Sequence, residues 1–272
     1  MHFMKSKTFL IAAAFALPLL TGDIASAHIG YTNRNFGTFT GDAPATVTLA
    51  ATTVTSSFGW ADGTDADFGD SHLVKAYRFT LQNTADVTIT IVSALTDVTT
   101  GTTTVFGGLI PGYSLYKGLA HVSPQPADYD GTPITQAWLD SIPGPQEGAF
   151  DALHTWKAGN EEGTTFADLS TFDFAGYAAD GTSANFGSAD IAGDGVADGN
   201  LTKTFRLPAG TYSMFVGGGN YAAQNIPAES GKAYGFTPTL SVEPVPEPAT
   251  AGLLAIGAFL AACTRRRPVS SG

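Results

Sequence analysis

The residues whose types and spacing best suit ligand binding lie in an acidic, glycine-containing stretch at positions 190–200. Its sequence, DIAGDGVADGN, places Asp190, Asp194 and Asp198 at loop positions 1, 5 and 9, with a glycine at position 6. Calcium takes six to eight hard oxygen ligands, and a glycine lets a short loop turn around the ion. The stretch is therefore a candidate calcium site.

The same stretch departs from a complete calcium loop at two positions. It resembles the loops of EF-hand and dockerin proteins, but Ala192 takes the place of the third-position ligand and Leu201 that of the bidentate acid. The alternative interpretation is a solvated Asp-Gly turn without metal.

A second acidic cluster follows Trp60 along the chain. It consists of Asp62, Asp65, Asp67 and Asp70. Such a loop could bind calcium and stiffen the entry to the strand that follows it, and an ordinary polar loop is the alternative.

The N-terminal segment has the three parts of a secretory signal. Lys5 and Lys7 form a basic start, an apolar run occupies positions 9–20, and Ala25-Ser26-Ala27 provides the small residues at which signal peptidase cuts. The apolar run is too short to cross the roughly 30 Å hydrocarbon core of a membrane comfortably. We expect residues 1–27, an N-terminal signal helix, to be removed after Ala27.

Cleavage at that point would make His28 the first residue of the mature chain. A free α-amine and the imidazole of the same residue can chelate copper, as in the histidine brace of lytic polysaccharide monooxygenases. A complete site needs another histidine, for which His72, His121 and His154 are available. His28 is therefore a candidate copper ligand, although no wider similarity to those enzymes is visible.

The C-terminal segment, residues 244–267, combines three elements in order. Val245-Pro246-Glu247-Pro248 precedes an apolar run at 249–263, and Arg265, Arg266 and Arg267 follow it. Alternate prolines keep the backbone extended and unpaired. The apolar run is long enough for about 22 Å of helix, and the arginines favour the cytoplasmic side of a membrane. We expect a C-terminal hydrophobic helix that pauses in the membrane.

This order of elements resembles the PEP-CTERM sorting signal of Gram-negative bacteria. The resemblance implies processing by an exosortase, a membrane enzyme that acts near the Pro-Glu-Pro sequence and releases or transfers the upstream part. It covers only the extreme C-terminus of the chain. The alternative is a plain C-terminal membrane anchor that is never processed.

The part left after both trimming steps is strongly acidic. Loss of Lys5, Lys7 and the three terminal arginines lowers the basic residues from 13 to 8, while loss of Asp23 lowers the acidic residues from 24 to 23. The exported part, counted through Glu247, therefore has a net charge near −15. A nucleic-acid partner is not expected, because phosphate binding requires clustered Lys and Arg.

The exported part also lacks common signatures of catalysis. The only cysteine, Cys263, lies in the C-terminal apolar run, so disulfides, cysteine-based zinc sites and cysteine nucleophiles are excluded. No G-x-S-x-G or H-E-x-x-H motif is present. Trp60, Trp138 and Trp156 are expected in the core rather than on a sugar-stacking platform.

Residues 28–243 show the alternation of a β protein. Tyr77, Phe79 and Leu81 alternate with polar residues, and after a turn at 83–85 the run VTITI at 87–91 does the same. This pattern predicts a hairpin with one buried and one solvated face. Further strands are expected at 47–49, at 113–116, on both sides of a turn at 208–210, and around Pro238, which indicates an edge or a bulge.

Positions 124–200 are rich in Gly, Asp and Pro and have weak periodicity. We expect a long insertion packed on the sheet, with short helices or helical turns at 134–142 and 150–156. Short strands without a βαβ rhythm predict an all-β fold, an antiparallel, jelly-roll-like β-sandwich with a long loop-rich insertion.

Two segments resemble the bacterial pre-peptidase C-terminal domain, a small β-sandwich appended to secreted proteins. They are residues 77–91 and the sequence LPAGTY at 207–212 with its following strand. This resemblance implies a sandwich fold and says little about function.

Together these features predict an exported, exosortase-sorted surface or extracellular-matrix protein without catalysis, with calcium as the expected stabilising ion. Signal peptidase and exosortase would process it during a transient stay in the inner membrane, and exopolysaccharide is the expected contact outside. The first alternative is an extracellular carbohydrate- or metal-binding module, for calcium or copper. The second is a secreted enzyme of unknown class.

Overall fold

The structure is a computed structural model that describes residues 29–61, 68–120, 133–141, 149–158, 165–187 and 190–245. Within these ranges the chain is mostly β-structure. The strands are β1 (Asn35–Phe39), β2 (Ala45–Thr48), β3 (Thr52–Thr55), β4 (Phe68–Asp70), β5 (Lys75–Leu81), β6 (Ala85–Ser93), β7 (Val98–Thr100), β8 (Thr103–Phe106), β9 (Pro111–Lys117), β10 (Ala149–Asp151), β11 (Trp156–Ala158), β12 (Ser170–Ala179), β13 (Asn200–Leu207), β14 (Gly210–Gly218) and β15 (Ala233–Pro244). The helical elements are α1 (Pro133–Leu139) and the 3-10 turns Phe166–Asp168, Ser183–Phe186 and Tyr221–Ala223. No helix within these ranges is long and apolar enough to cross a membrane.

The strands form two large sheets and a two-stranded ribbon. The central sheet has the order β1-β5-β14-β9-β12-β11, and β4 pairs with β10 in the ribbon. The outer sheet has the order β13-β6-β15-β8-β7, with β2 and β3 also paired to β15. Among the described strands, β1 with β5 and β8 with β15 are the parallel neighbours, and the other pairs are antiparallel. The predicted all-β sandwich is confirmed.

The central sheet is buried on both faces because its middle strands are apolar on both sides. In β14, Tyr212, Met214 and Val216 belong to the core between the two sheets, whereas Phe215 belongs to a second core on the opposite face. None of the four side chains is more than 1% exposed. A sheet of this kind needs one cover on each face.

The first cover is the outer sheet. Alternate residues of β5, such as Phe79, meet alternate residues of β6, such as Ile89, in the core between the sheets. The predicted hairpin is therefore wrong, because these consecutive strands lie in different sheets. The chain crosses between them at Gln82, whose N–H donates to the Phe39 carbonyl at 2.9 Å. Alternation shows which side of a strand is apolar but not which sheet the strand joins.

The second cover is a layer built from the β4–β10 ribbon and neighbouring loops. Phe150 of the ribbon stacks on Phe215 of the central sheet, with ring centroids 5.8 Å apart. Trp60 donates its indole N–H to the Ser114 hydroxyl at 2.9 Å, and that hydroxyl donates to the carbonyl of Ala152. The layer is thus joined to the sheet by aromatic packing and by satisfied polar groups.

The predicted insertion at 124–200 contributes much of this layer, but it is not only an addition to the sheet. Its strand β12 pairs with β9 and so belongs to the central sheet. A short helix, α1, lies within the segment predicted to hold one at 134–142. The helical turn predicted at 150–156 is wrong, because β10 and β11 occupy its two ends and bury Phe150 and Trp156 completely.

Pro238 lies in β15, inside the outer sheet rather than at its edge. It falls between the residues paired with β3, which end at Phe236, and those paired with β2, which begin at Thr239. Its carbonyl accepts from the Leu49 N–H at 3.1 Å on that side. In an antiparallel strand the N–H and C=O of one residue point to the same side. The N–H that Pro238 lacks would therefore point into the gap between β2 and β3, where no strand residue is paired with it.

Phe215 offers a direct test of the second core. Its ring packs against those of Tyr116, Phe150, Trp156 and Phe172. We expect Phe215→Ala to lower the free energy of unfolding by about 3–5 kcal/mol in urea denaturation, because it opens a cavity in a packed interior. The control is Val92→Ala, on a side chain that is 43% exposed on the outer sheet, for which the expected change is below about 0.5 kcal/mol. Equal costs would contradict the two-sided burial of the central sheet.

Candidate functional site

The acidic loop predicted to bind calcium is organised by a buried aspartate just upstream of it. Asp180 follows β12 and is wholly buried. Its carboxylate oxygens accept from the backbone N–H groups of Asp198, at 3.2 Å, and Gly199, at 2.8 Å. Burial raises the pKa of Asp180, and these two hydrogen bonds oppose that rise. The role of this carboxylate is to hold the loop backbone.

Two of the three predicted calcium ligands are used in the same way. Asp194 Oδ1 accepts from the N–H groups of Gly181, at 3.0 Å, and Val196, at 3.2 Å. Asp198 Oδ1 accepts from the N–H of Asn200 at 2.9 Å. The third, Asp190, is exposed. One carboxylate oxygen of Asp194 and one of Asp198 therefore stabilise turns of the loop itself.

The expectation of calcium at Asp190, Asp194 and Asp198 is therefore corrected: these residues do not form a metal-holding group in the described structure, and Asp194 and Asp198 make hydrogen bonds to the backbone of the loop. Within the described part of the chain, no group of three or more His, Cys, Asp or Glu side chains is placed to hold a metal ion. The spacing of acids along a loop does not reveal whether the backbone of that loop already occupies them.

The second acidic cluster is described only at its end. Asp62, Asp65 and Asp67 lie outside the described residues. Asp70, at the end of β4, accepts from the backbone N–H of His72 at 2.8 Å, and its Oδ1 lies 2.9 Å from His72 Nδ1. The carboxylate thus orients the imidazole and leaves His72 Nε2 facing away from this contact. Calcium binding at Asp70 is not supported either.

His72 lies at a small cavity of about 60 Å³, which we call the N-terminal cavity. Ile29, Val74 and Phe215 line its apolar side, and Arg34, His72 and Lys75 bring nitrogen atoms to it. Ile29 is the first described residue, and its predecessor His28, the predicted copper ligand, lies outside the described residues.

The two cationic side chains of the cavity, Arg34 and Lys75, are half-buried, and the positive charge of one makes the charged form of the other less favourable. Arg34 Nε donates to the carbonyl of Ala76 at 2.9 Å, and Nη2 donates to that of Gly30. Burial lowers the pKa of Lys75, and the neighbouring Arg34 lowers it further. Burial also lowers the pKa of Arg34. These shifts describe positive charge held away from water without a compensating acid.

A second surface of interest is the open face of the outer sheet, which carries two rows of hydroxyl groups in register. We call it the hydroxyl face. One row is Thr48, Thr239, Thr90 and Thr202, and the other is Thr46, Ser241, Thr88 and Thr204. All eight side chains are exposed or half-exposed.

The hydroxyl groups of this face are joined in pairs across neighbouring strands. The oxygen atoms are 2.9 Å apart in Thr46–Ser241 and Thr48–Thr239, 2.7 Å in Thr88–Thr204 and 3.0 Å in Thr90–Thr202. Each pair uses one hydroxyl hydrogen internally and leaves the other for solvent or a ligand. The adjoining row, Glu243, Asp86 and Arg206, is charged, and Arg206 makes two 2.9 Å hydrogen bonds to Asp86.

Two of the three tryptophans lie in the core, as expected. Trp60 and Trp156 are completely buried in the second core. Trp138 of α1 is partly buried against the same core. None of the three forms an exposed stacking platform in the described structure.

The predicted processing residues fall almost entirely outside the described residues. These are Ala25, Ala27, Pro246, Glu247, Pro248, Arg265, Arg266 and Arg267. Val245 is described and follows directly after β15, which ends at Pro244.

Sequence reasoning missed both the hydroxyl face and the pairing of Arg34 with Lys75. The first had a signal, because T-x-T occurs at 46–48, 88–90 and 202–204 and T-x-S at 239–241. The second had none, because residues 41 positions apart meet only through the parallel pairing of β1 with β5.

Comparisons with known proteins give weak structural likenesses. No family model and no curated protein matches the sequence. One solved structure, with a TM-score of 0.44 and 17% identity over 76% of this chain and 96% of its own, is CorA, a surface-associated copper-binding protein of Methylomicrobium album BG8. Another, with a TM-score of 0.38 and 15% identity over 78% of this chain and 87% of its own, is the secreted protein MopE of Methylococcus capsulatus, in which an oxidised tryptophan facilitates copper binding.

These neighbours are surface-associated or secreted, the kind of location predicted for this chain from its N-terminal segment. The metal named for both is copper, not the calcium expected here. Likeness at this level concerns architecture, and the functional argument has to come from the residues of this chain.

Proposed function

We propose that the chain is an exported, non-catalytic protein of the cell surface or extracellular matrix that binds a neutral polysaccharide through its hydroxyl face. The observation that carries this proposal is the set of eight hydroxyl groups in two registered rows on an open sheet face. The proposed function requires contact between this face and a polymer, and it involves no chemical step.

The geometry of the face suits a polymer that itself presents repeated hydroxyl groups. Strands lie about 4.8 Å apart and alternate residues about 6.8 Å apart, so the two rows form a regular grid about 14 Å wide. Four unused hydroxyl hydrogens and the oxygen lone pairs offer both donors and acceptors. Because neighbouring hydroxyls already hold each other in place, little side-chain freedom is lost on binding.

The charge of the protein indicates a neutral partner rather than an acidic one. The two rows contain no charged side chain, and the exported part carries a net charge near −15. An anionic polymer would be repelled by the surrounding surface, whereas a neutral one would not.

We expect the double variant Thr90→Val with Thr202→Val to bind a neutral polysaccharide about tenfold more weakly, because several hydrogen bonds of about 1 kcal/mol each are lost. Valine keeps the branched shape and strand preference of threonine. Affinity electrophoresis in gels containing a neutral β-glucan, a mannan or a dextran provides the measurement, and alginate provides the anionic comparison.

The matched control is Thr99→Val with Thr104→Val, a hydroxyl pair 2.9 Å apart on the β7–β8 hairpin, away from the face. This control should be retarded like the wild type. Equal retardation of both double variants, retardation by alginate alone, or none by any neutral polymer would contradict the proposal.

Export and sorting form the second part of the proposal. Signal peptidase would cut after Ala27, and an exosortase would act near Pro246-Glu247-Pro248. Support comes from the order of elements at both termini. The last strand, β15, ends at Pro244, so removal of the sorting segment takes away no described strand.

The mass of the protein recovered from its native host tests this processing. We expect a chain that starts at His28 and lacks the arginine cluster, and we expect replacement of Arg265, Arg266 and Arg267 by alanine to leave the C-terminal segment attached. An intact chain from Met1 to Gly272 in the cytosol would contradict export.

Copper binding at the mature N-terminus is a second candidate function, supported by the orientation of His72. Metal-ligating histidines commonly give their other ring nitrogen to a carboxylate, as His72 Nδ1 does to Asp70. Ile29, the first described residue, and His72 line the same cavity. Copper held by the α-amine and imidazole of His28 would need a further nitrogen ligand, for which we propose His72 Nε2. Arg34 and Lys75 oppose a cation there, and an anion in the cavity would have to offset them.

For this candidate, we expect one Cu²⁺ per chain by calorimetry on protein with a native His28 terminus. Adding one glycine before His28 should weaken binding at least tenfold, because it destroys the chelate, and His72→Asn should also weaken it. The control is His154→Asn, at a histidine 3.4 Å from another aspartate, Asp151. An extended terminus that binds copper as well as the native one would exclude this site.

A further inference from the structure

The N-terminal cavity gathers positive charge in a protein that is otherwise strongly acidic. Its cationic side chains, Arg34 and Lys75, come from different parts of the chain and lie close enough for Arg34 to lower the pKa of Lys75. No carboxylate of the described residues forms an ion pair with either one. Asp70, the acid nearest in sequence to the cavity, is engaged with His72.

Arg34 is held so that part of its guanidinium remains available. Its Nε and Nη2 each donate to a backbone carbonyl, of Ala76 and Gly30 respectively. A guanidinium has five N–H donors in a planar fork, so three are left without a partner among the described residues. The two carbonyl contacts fix the plane of the guanidinium, whose planar fork matches planar or tetrahedral oxyanions.

Lys75 supplies the second charge from the first position of β5. It is half-buried, and no hydrogen bond joins its ammonium group to any described residue. Removing a charge from water without a counter-charge is costly. Ile29, Val74 and Phe215 form the apolar side of the cavity. These apolar side chains increase both the free-energy cost of burying the Lys75 charge and its attraction to an anion. A bound anion would relieve this cost.

We propose that the N-terminal cavity is a binding site for a small oxyanion, a carboxylate, sulfate or phosphate group, held between the Arg34 guanidinium and the Lys75 ammonium. Its volume of about 60 Å³ suits one such group, since a single water needs about 10–15 Å³ measured in this way. Ser71 and His72 stand at its rim. The oxyanion could be a free inorganic ion or the carboxylate of an acidic sugar, because both present the same group.

Thermal unfolding of the exported protein tests the site. Sulfate, phosphate and glucuronate are each compared with chloride at equal ionic strength, since general screening acts equally in all four. A ligand that binds only the folded state raises the melting temperature with its concentration. We expect a rise with at least one oxyanion, and the strongest of the three identifies the source as inorganic ion or acidic sugar. No rise beyond chloride would overturn the proposal.

Lys75→Met separates this site from a general effect of salt. Methionine keeps the apolar stem but removes the charge, so we expect at least tenfold weaker anion binding and a higher melting temperature without anion. The control is Lys203→Met, on an exposed lysine of β13 whose Nζ donates to the Tyr177 carbonyl at 2.7 Å. This control should keep the wild-type response, and a wild-type response in Lys75→Met would overturn the proposal.

A crystal of the wild-type protein soaked in selenate gives a readout that does not depend on any variant. The anomalous signal of selenium should lie between Arg34 and Lys75. A cavity without signal, in a crystal that carries selenate elsewhere, would overturn the proposal. None of these three measurements tests the hydroxyl face, so a negative result at the N-terminal cavity leaves the polysaccharide proposal standing.

Discussion

The structure depends on the burial of one sheet from both sides. Strands β9 and β14 are apolar on both faces, with Leu115 and Met214 turned to one core and Tyr116 and Phe215 to the other. Such strands are stable only when each face is covered. The outer sheet covers one face, and the layer that contains Trp60 and Phe150 covers the other. The described parts of the region at 124–200 contribute both to this layer and to the central sheet.

The two candidate binding surfaces are consequences of that arrangement. The outer sheet uses its inner face for the core, which leaves its other face open for hydroxyl side chains. The N-terminal cavity with Arg34 and Lys75 lies beside Ile29, where β5 begins. One surface is flat and neutral, whereas the other is small and positively charged. They are suited to different ligands.

The sequence was a good guide to what alternation alone determines. Strands β5, β6 and β14, the burial of Trp60 and Trp156, and the all-β class all follow from period-2 patterns and composition. The pairing of strands into sheets was not determined by alternation. The run at 77–91 looks like a hairpin because its strands are consecutive, yet these strands join different sheets. Pro238 fits in an interior strand because β2 and β3 leave a gap beside it.

The candidate sites were less predictable for a related reason. Acidic spacing at 190–200 suggested calcium, but the backbone N–H groups of the loop take up Asp194 and Asp198, and sequence spacing carries no record of such contacts. The threonine rows were visible as T-x-T repeats, but their significance depends on the register of four strands. Arg34 and Lys75 meet only in the folded chain.

The most direct measurement is an NMR titration of the exported protein with a neutral glucan oligosaccharide. The polysaccharide proposal predicts chemical-shift changes concentrated in β2, β6, β13 and β15, at Thr48, Thr90, Thr202 and their row neighbours, with the second core unchanged. Changes confined to other surfaces, such as the neighbourhood of Trp138, or no change at the highest oligosaccharide concentration, would contradict it.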